Sequence, residues 1–98
     1  MKKIFQWVLL GTKGSENRVK IIKKIKEKPY NINQLSKELN LNYRTVKHHI
    51  NKLKEVNLIE SYGGKYGKLY FLTDMMKENY NDFIEVLKQI EPQNSLPA

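Results

Sequence analysis

Residues 31–57, NINQLSKELNLNYRTVKHHINKLKEVN, decide the fold of this chain. Two runs within this stretch place apolar residues at helical spacing, so each run has one side to bury. These residues are Leu35 and Leu39 in the first run, and Val46, Ile50 and Leu53 in the second. The segment between the runs, Asn40-Leu41-Asn42, can end one helix and cap the next through an asparagine side chain. The pattern predicts a helix-turn-helix.

The side of the second predicted helix that is not apolar indicates what the motif binds. All the residues on that side can donate hydrogen bonds, and none of them is acidic. They are Tyr43, Arg44, Lys47, His48, Asn51 and Lys54. Such a surface suits phosphates and the acceptor-rich base edges in a DNA major groove. The alternative is a solvated helix surface without a ligand, which is the usual role of a charged run.

Composition and charge restrict the class of protein. The 98 residues make one small domain, and the chain has no cysteine for a disulfide or a thiolate site. No apolar run approaches the roughly 20 residues of a membrane span, so we expect a cytoplasmic protein. Residues 1–72 carry 16 Lys and Arg against 5 Asp and Glu, a net charge of +11, whereas residues 73–98 carry 2 against 5, a net charge of −3. Binding to a polyanion is therefore expected in the first three-quarters of the chain.

Residues 1–14 form a separate apolar segment that must find cover. Six apolar residues lie within seven positions of it, from Ile4 to Leu10. We expect this segment to contact the same segment of a second copy. Packing against its own domain is the second alternative, and anchoring to a membrane surface through Lys2 and Lys3 is the least favoured.

A helix and a hairpin flank the helix-turn-helix. Val19, Ile22 and Ile25 form the apolar stripe of a lysine-rich helix that Pro29 ends. Either Asn31 or Asn33 can then cap the first helix of the motif. After the motif, residues 59–62 and 68–72 have the β-branched and aromatic content of strands, and the glycine-rich residues 63–67 between them predict a hairpin turn.

The segment 73–91 predicts a final helix with an apolar seam. Apolar residues follow one another there at spacings of four, three, four and three, at Met76, Tyr80, Phe83, Leu87 and Ile90. This spacing is typical of a helix that packs along another helix, so we interpret the segment as a dimerisation helix. The alternative is a helix that folds back on its own domain. Pro92 is expected to end the helix and leave residues 92–98 as a flexible tail.

Helix, helix-turn-helix and hairpin in this order resemble the winged-helix DNA-binding domain, and in particular the ArsR-like group of prokaryotic transcription regulators. The resemblance covers residues 15–72. It lies in residues 34–41 (QLSKELNL), residues 43–50 (YRTVKHHI), Leu58-Ile59 and the end of the hairpin at Tyr70. Residues 43–49 together with Lys65-Tyr66-Gly67 are most similar to archaeal members. The fold class is therefore α+β, mainly α, with a three-helix core, a β-hairpin wing and an additional C-terminal helix.

The resemblance implies a homodimer that inserts a recognition helix, residues 42–54, into the major groove and lays a wing, residues 61–69, on the flanking backbone or minor groove. Arg44 is our first choice for reading guanine, and the lysines are expected to contact phosphates. The DNA-binding residues implied are Asn42, Tyr43, Arg44, Thr45, Lys47, His48, Asn51, Lys52, Lys54, Lys65, Tyr66 and Lys68. The dimer contacts implied are Ile4, Trp7, Val8, Met76, Tyr80, Phe83, Leu87 and Ile90.

The sequence offers little for metal binding or catalysis. Metal-sensing members of the group carry cysteines, or paired histidine and carboxylate ligands on the last helix, and this chain has only His48 and His49. Neighbouring side chains on a helix diverge by about 100°, so we expect no metal and no cofactor, and we interpret His49 as a core histidine. We expect no enzyme, because no nucleophile stands near a base. A winged-helix module that binds RNA or another protein is the alternative function.

Overall fold

A computed structural model describes residues 2–9, 14–64 and 67–95; within these ranges, the side chains of residues 2, 7 and 90–95 are not described. The elements in chain order are α1 (Lys2–Leu9), α2 (Ser15–Glu27), α3 (Ile32–Leu39), α4 (Tyr43–Glu55), β1 (Ile59–Tyr62), β2 (Leu69–Leu72), α5 (Asp74–Glu78) and α6 (Tyr80–Ser95). Helices α2, α3 and α4 with the β1–β2 hairpin are the predicted winged helix-turn-helix.

The first helix of the motif, α3, is capped at both ends. Asn31 Oδ1 accepts a hydrogen bond from the Gln34 N–H at 2.8 Å, and Gln34 Oε1 accepts one from the Asn31 N–H at 2.9 Å, which completes a capping box. Asn40 ends the helix in the left-handed conformation with φ 53°. Ser36 then donates its hydroxyl to the Leu41 carbonyl at 2.8 Å. The turn between the two motif helices is therefore fixed by local hydrogen bonds.

The hairpin is a two-stranded antiparallel sheet. Ile59 pairs with Leu72 at its base, and Tyr62 pairs with Leu69 toward its tip. Tyr30 lies beside β2 and forms one isolated antiparallel bridge with Tyr70, whose N–H donates to the Tyr30 carbonyl at 2.9 Å. Side chains alternate along the strands, so that Ile59 and Leu72 are buried while Tyr62 and Leu69 are exposed. The core side of the wing faces the helices, and the other side is open.

Helix α1 packs against its own domain, the second of the three alternatives. Phe5 is fully buried, and its ring meets the Phe83 ring of α6 edge-to-face, with the ring centroids 5.6 Å apart. Val8 and Leu9 are also buried, and α1 contacts both α2 and α6. The described side chains of Phe5, Val8 and Leu9 thus find cover within one copy of the chain.

Four of the residues predicted to contact a second copy are instead part of the core of one copy. Val8, Met76, Phe83 and Leu87 are buried inside one copy of the chain. The apolar spacing identified correctly which side of the helix is buried, but the surface that covers it is the chain's own core. These four side chains therefore offer no surface to a second copy as the chain stands. Homodimerisation itself stays a prediction.

The predicted helix over residues 73–91 is divided in two. Asn79 separates α5 from α6: its side-chain Nδ2 donates to the Met75 carbonyl at 2.8 Å, and its own carbonyl accepts from the Phe83 N–H. The Asn79 N–H still donates to the Met75 carbonyl, at 3.1 Å, and the break is in the backbone of Asn79, which has φ −108° and ψ 14°. The second helix also continues past Pro92 to Ser95, contrary to the predicted end. A proline removes one backbone donor and crowds the carbonyl four residues earlier, which disfavours a helix there without forbidding it.

Thr73 connects the end of the winged domain to the C-terminal helices. It is 4% exposed, and its hydroxyl donates to the Asn57 carbonyl at 2.8 Å. The same oxygen accepts from the Met76 N–H at 3.1 Å and so caps α5. Its own N–H donates to the Leu58 carbonyl at 3.1 Å. One residue therefore satisfies three backbone groups at this junction.

Substitution Thr73→Val should lower the free energy of unfolding by about 1–2 kcal/mol, because valine keeps the shape but loses the cap and leaves buried backbone groups unpaired. Urea denaturation monitored by circular dichroism measures this loss. Ser61→Ala is a matched control, since it also removes one side-chain hydroxyl. Its hydrogen bond from Lys54 Nζ, at 3.2 Å, is exposed, so a change within roughly 0.5 kcal/mol is expected. Equal losses in the two variants would contradict the role of Thr73.

Candidate nucleic-acid interface

Helix α4 buries one side and leaves the opposite side open. Its buried residues are Val46, His49, Ile50 and Leu53. Of the DNA contacts predicted on this helix, Thr45 is half-buried and all the others are exposed. The exposed ones are Tyr43, Arg44, Lys47, His48, Asn51, Lys52 and Lys54. Access to the surface, which the predicted DNA contacts require, is therefore present. His49 is 5% exposed and is a core histidine, as its place in the sequence predicted.

The start of α4 is held by its own cap. Asn42 Oδ1 accepts a hydrogen bond from the Arg44 N–H at 2.7 Å. This bond occupies the oxygen of Asn42 and leaves its amide nitrogen as a donor toward a ligand. It also fixes the first turn, where Tyr43 is 46% exposed and Arg44 extends into solvent. The side chains at the N-terminal end of α4 are thus presented on a rigid turn.

The charge on the open side of α4 is not neutralised within the described parts of the chain. In the described residues, a lysine forms an ion pair on α2, where Lys20 Nζ lies 3.6 Å from Glu16 Oε1. No carboxylate in residues 2–9, 14–64 or 67–95 forms such a pair with Lys47, Lys52 or Lys54. These ammonium groups are therefore free to neutralise phosphates.

The wing is tied to the same helix. Lys54, in the last turn of α4, donates to the Ser61 hydroxyl of β1. Lys68 is exposed where the chain returns along the hairpin. The predicted contacts Lys65 and Tyr66 lie outside the described residues. Helix α4 and the described base of the wing therefore present Lys47, Lys54 and Lys68 on neighbouring elements.

An open groove of about 380 Å³ lies between the start of α3, the start of α4 and the base of the wing. Its lining is rich in hydrogen-bond donors and consists of Asn31, Ile32, Asn33, Tyr43, Lys47, Gly67, Lys68 and Tyr70. The side chain of Asn31 takes the Gln34 N–H, whereas the two N–H groups before it have no partner within α3, which makes this end attractive to anions. Burial, with a smaller contribution from Tyr43, raises the pKa of Tyr70, so its phenol stays protonated beside the lysines. The groove therefore suits a phosphate group.

Sequence reasoning misses Asn33 as a site residue, because it gives Asn33 only the role of a possible cap. The structure gives the cap to Asn31 and leaves Asn33 exposed in the groove. The signal is present in the sequence: two asparagines precede the motif helix, one is enough to cap it, and the other is then available to a ligand.

None of the helices within residues 2–9, 14–64 and 67–95 combines the length and the apolar character that crossing a bilayer requires. Within the same ranges, no cluster of three or more His, Asp or Glu side chains is placed to hold a metal ion.

Comparison with known proteins agrees with this geometry. Residues 15–61 match the model of the family described as bacterial regulatory protein, arsR family. No curated protein sequence matches the chain.

Three solved structures illustrate the similarity in fold. A transcriptional regulator homologue protein from Pyrococcus horikoshii OT3 has a TM-score of 0.68 and 22% identity, over 85% of this chain and 87% of that chain. A probable transcriptional regulator from Pseudomonas aeruginosa has a TM-score of 0.72 and 16% identity, over 94% and 72%. The transcriptional repressor BigR from Xylella fastidiosa has a TM-score of 0.65 and 14% identity, over 98% and 88%.

The fold is a winged helix-turn-helix, and residues 15–61 of the chain are similar to the arsR family of bacterial regulatory proteins. The matched region begins at the first residue of α2 and runs into β1, so it contains all three helices of the motif.

Proposed function

We propose that the chain is a homodimeric, sequence-specific transcription regulator that places α4 in the major groove and lays the wing, residues 61–69, on the flanking backbone or minor groove. The observation that carries this proposal is the open surface of α4 over residues 43–54, where every exposed residue can donate a hydrogen bond and none is acidic, and where Lys47 lines one groove together with Lys68 of the wing. A major groove accepts a helix with such a surface, because its base edges and phosphates are rich in acceptors.

The residues of this surface divide by role. Arg44 is the base-reading residue, because its planar guanidinium matches the O6 and N7 acceptors of guanine and it extends from the capped first turn. Asn51 and Tyr43 are further candidates for contacts in the groove. Lys47, Lys52, Lys54 and Lys68 are the phosphate contacts, and they determine affinity rather than sequence preference.

The open groove gives one DNA strand a path across the protein. A phosphate seated there would lie between Lys47 of α4 and Lys68 of the wing, with Asn33 donating from the start of α3. A strand held at this point fixes the depth and the angle at which α4 enters the major groove. The groove therefore belongs to the proposed DNA interface, and Asn33 is added to the proposed contacts.

The proposed homodimer uses the parts of α1 and α6 that one copy leaves open. Of the residues predicted for the interface, Ile4 and Tyr80 are only partly buried, and so is Ile84 of α6. The side chains of Trp7 and Ile90 are not described. A mass measurement in solution should give twice the mass of the chain. A monomer at every accessible concentration would contradict this part of the proposal.

The test of function is binding to mixed-sequence duplex DNA and to single-stranded RNA across a salt series. We expect a preference for the duplex, and an affinity that falls as salt rises because counterions are released from phosphates. The double variant Lys47→Gln with Lys68→Gln should flatten the slope of log affinity against log salt by about 0.9 for each phosphate that the protein no longer neutralises.

The double variant Lys23→Gln with Lys77→Gln is the matched control for this test, since both lysines are exposed, on α2 and α5, outside the proposed DNA and dimer surfaces. Its salt slope should equal that of the unsubstituted chain. The exposed rings of Tyr43 and Tyr62 could instead stack on unpaired bases. Tighter binding to the RNA than to the duplex would therefore replace the proposal with the RNA-binding alternative.

A further inference from the structure

Three residues form a polar seam inside the protein where α1, α2 and α4 meet: Gly14, Arg18 and His49. Arg18 extends from α2 and is buried, at 8% exposed, whereas its neighbour Lys20 is exposed. Its Nε donates to the Val8 carbonyl at the end of α1, at 2.8 Å. This bond satisfies a backbone group that the short helix cannot satisfy itself. The seam therefore attaches α1 to the body of the domain.

His49 reaches the seam from α4. Its ring packs against Gly14, which has φ 90°; a Cβ at Gly14 would stand 2.6 Å from the imidazole Cε1 and 3.0 Å from Nε2. The Nη1 atom of Arg18 is 3.8 Å from that same point. The imidazole and the guanidinium thus lie close together in the interior. Within the described residues, the Nδ1 atom of His49 is buried and has no hydrogen-bond partner.

The surroundings of His49 favour its neutral form. Burial lowers its pKa first, and the positive charges of Arg18 and then of His48 lower it further. The described buried side chains of α1 are apolar and supply no balancing carboxylate. Glu16, the acidic residue in the first turn of α2, is exposed and pairs with Lys20. A proton on His49 would therefore meet positive charge from α2 and from its own helix.

We propose that the polar seam is an acid-sensitive latch: protonation of His49 places a second positive charge beside Arg18 and releases α1 from the domain. The guanidinium must move away from the imidazolium, and this movement breaks its bond to the Val8 carbonyl. An isolated helix of eight residues is not stable in water, so α1 loses its structure once it is released. Phe83 then loses the ring of Phe5 that covers it.

The direction of the pH dependence follows from the two states of His49. In the released state the imidazole is hydrated, and its pKa returns toward the ordinary value of about 6.5. Above that pH, His49 is neutral whether α1 is docked or released, so docking of α1 has its full strength. As the pH falls below about 6.5 toward the lowered pKa of the docked state, the released state takes up the proton preferentially, and docking weakens.

Amide hydrogen exchange of the full chain, followed by NMR from pH 7.5 to pH 5.5, tests the latch. Rates are expressed as protection factors, so that the intrinsic pH dependence of exchange is removed. Protection of the α1 amides at residues 6–9 should fall steeply below about pH 6.5, by up to about tenfold per pH unit for a single proton. Protection of residues 50–53 in α4 should fall much less, because the rest of the core stays folded.

Variants at the two neighbouring histidines provide the matched comparison. His49→Gln and His49→Leu carry no titrating group, so the protection of α1 should no longer depend on pH in this range. His48→Gln, an exposed change on the same helix, should keep the pH dependence. Either His49 variant suffices if the other fails to fold. Arg18→Gln keeps His49 and removes the neighbouring charge, so the pKa values of the docked and released states lie closer together and the fall in protection of α1 with falling pH should be smaller.

Three results would overturn the proposal. Protection of α1 could be constant between pH 7.5 and 5.5. It could fall equally in the His49 variants, which would assign the change to another group. Protection could also fall in parallel at α1 and α4, which would show unfolding of the whole domain rather than release of one helix. None of these readouts depends on DNA binding.

Discussion

Replacement of Phe83 by alanine is expected to lower the free energy of unfolding by about 3–5 kcal/mol. The Phe83 side chain is fully buried in α6, where its ring centroid lies 5.6 Å from that of Phe5 and 5.5 Å from that of Tyr80. Truncation removes this burial and leaves a cavity between α1 and α6. Helix α1 has only eight residues, so its structure depends on this packing. Such a loss is a large fraction of the roughly 5–15 kcal/mol that stabilises a small domain.

Chemical denaturation of Phe83→Ala beside Phe71→Ala measures the effect. Phe71 carries the same side chain but is only half-buried on the open side of the wing, where its ring meets that of Tyr62. Phe71→Ala should lower the free energy of unfolding by about 1–2 kcal/mol, because less buried apolar area is lost than in Phe83→Ala. A cost for Phe83→Ala no larger than that for Phe71→Ala would mean that α1 and α6 are not packed as the structure shows.

Replacement of Arg44 by alanine is expected to reduce discrimination between the preferred DNA site and its variants by about 1–3 kcal/mol, or about 5- to 150-fold. The side chain is exposed on the capped first turn of α4, and two parallel hydrogen bonds to guanine require its planar fork. A preferred site would first be selected from a random duplex pool. Competition binding would then compare that site with versions in which each G·C pair is replaced.

Two further variants separate base reading from simple charge. Arg44→Lys keeps the positive charge but loses the bidentate geometry, so it should lose discrimination nearly as far as alanine does. Lys68→Ala removes a charge at the base of the wing, and should weaken binding to all duplexes about equally. If Arg44→Ala weakened every duplex to the same extent, Arg44 would be a phosphate contact, and base reading would pass to Asn51 and Tyr43.

The winged domain could be predicted from sequence because its determinants are local. Val46, Ile50 and Leu53 lie within two turns of one helix, and each capping asparagine acts on an amide two or three residues away. The open side of α4 follows from the same periodicity, since a helix that buries one stripe exposes the other. These features need no information about distant parts of the chain.

The features that sequence reasoning missed depend on contacts between distant elements. A repeated apolar spacing shows that Phe83 and Leu87 are covered, but not whether the cover is a second copy or α1 of the same chain. Arg18 looked like its lysine neighbours, yet its side chain is long enough to reach the Val8 carbonyl, ten residues earlier in the chain. The groove was missed for the same reason, because three separate segments form it around Asn33.

The junction at Thr73 has a consequence for the geometry of a complex. Because its hydroxyl holds the Asn57 carbonyl just beyond α4 while capping α5, α4 cannot pivot freely against the segment that leads into α6. In a dimer joined through α6, the separation and relative tilt of the two recognition helices would depend on this fixed junction. Half-site spacing in the operator would then be set by a residue that touches no nucleotide.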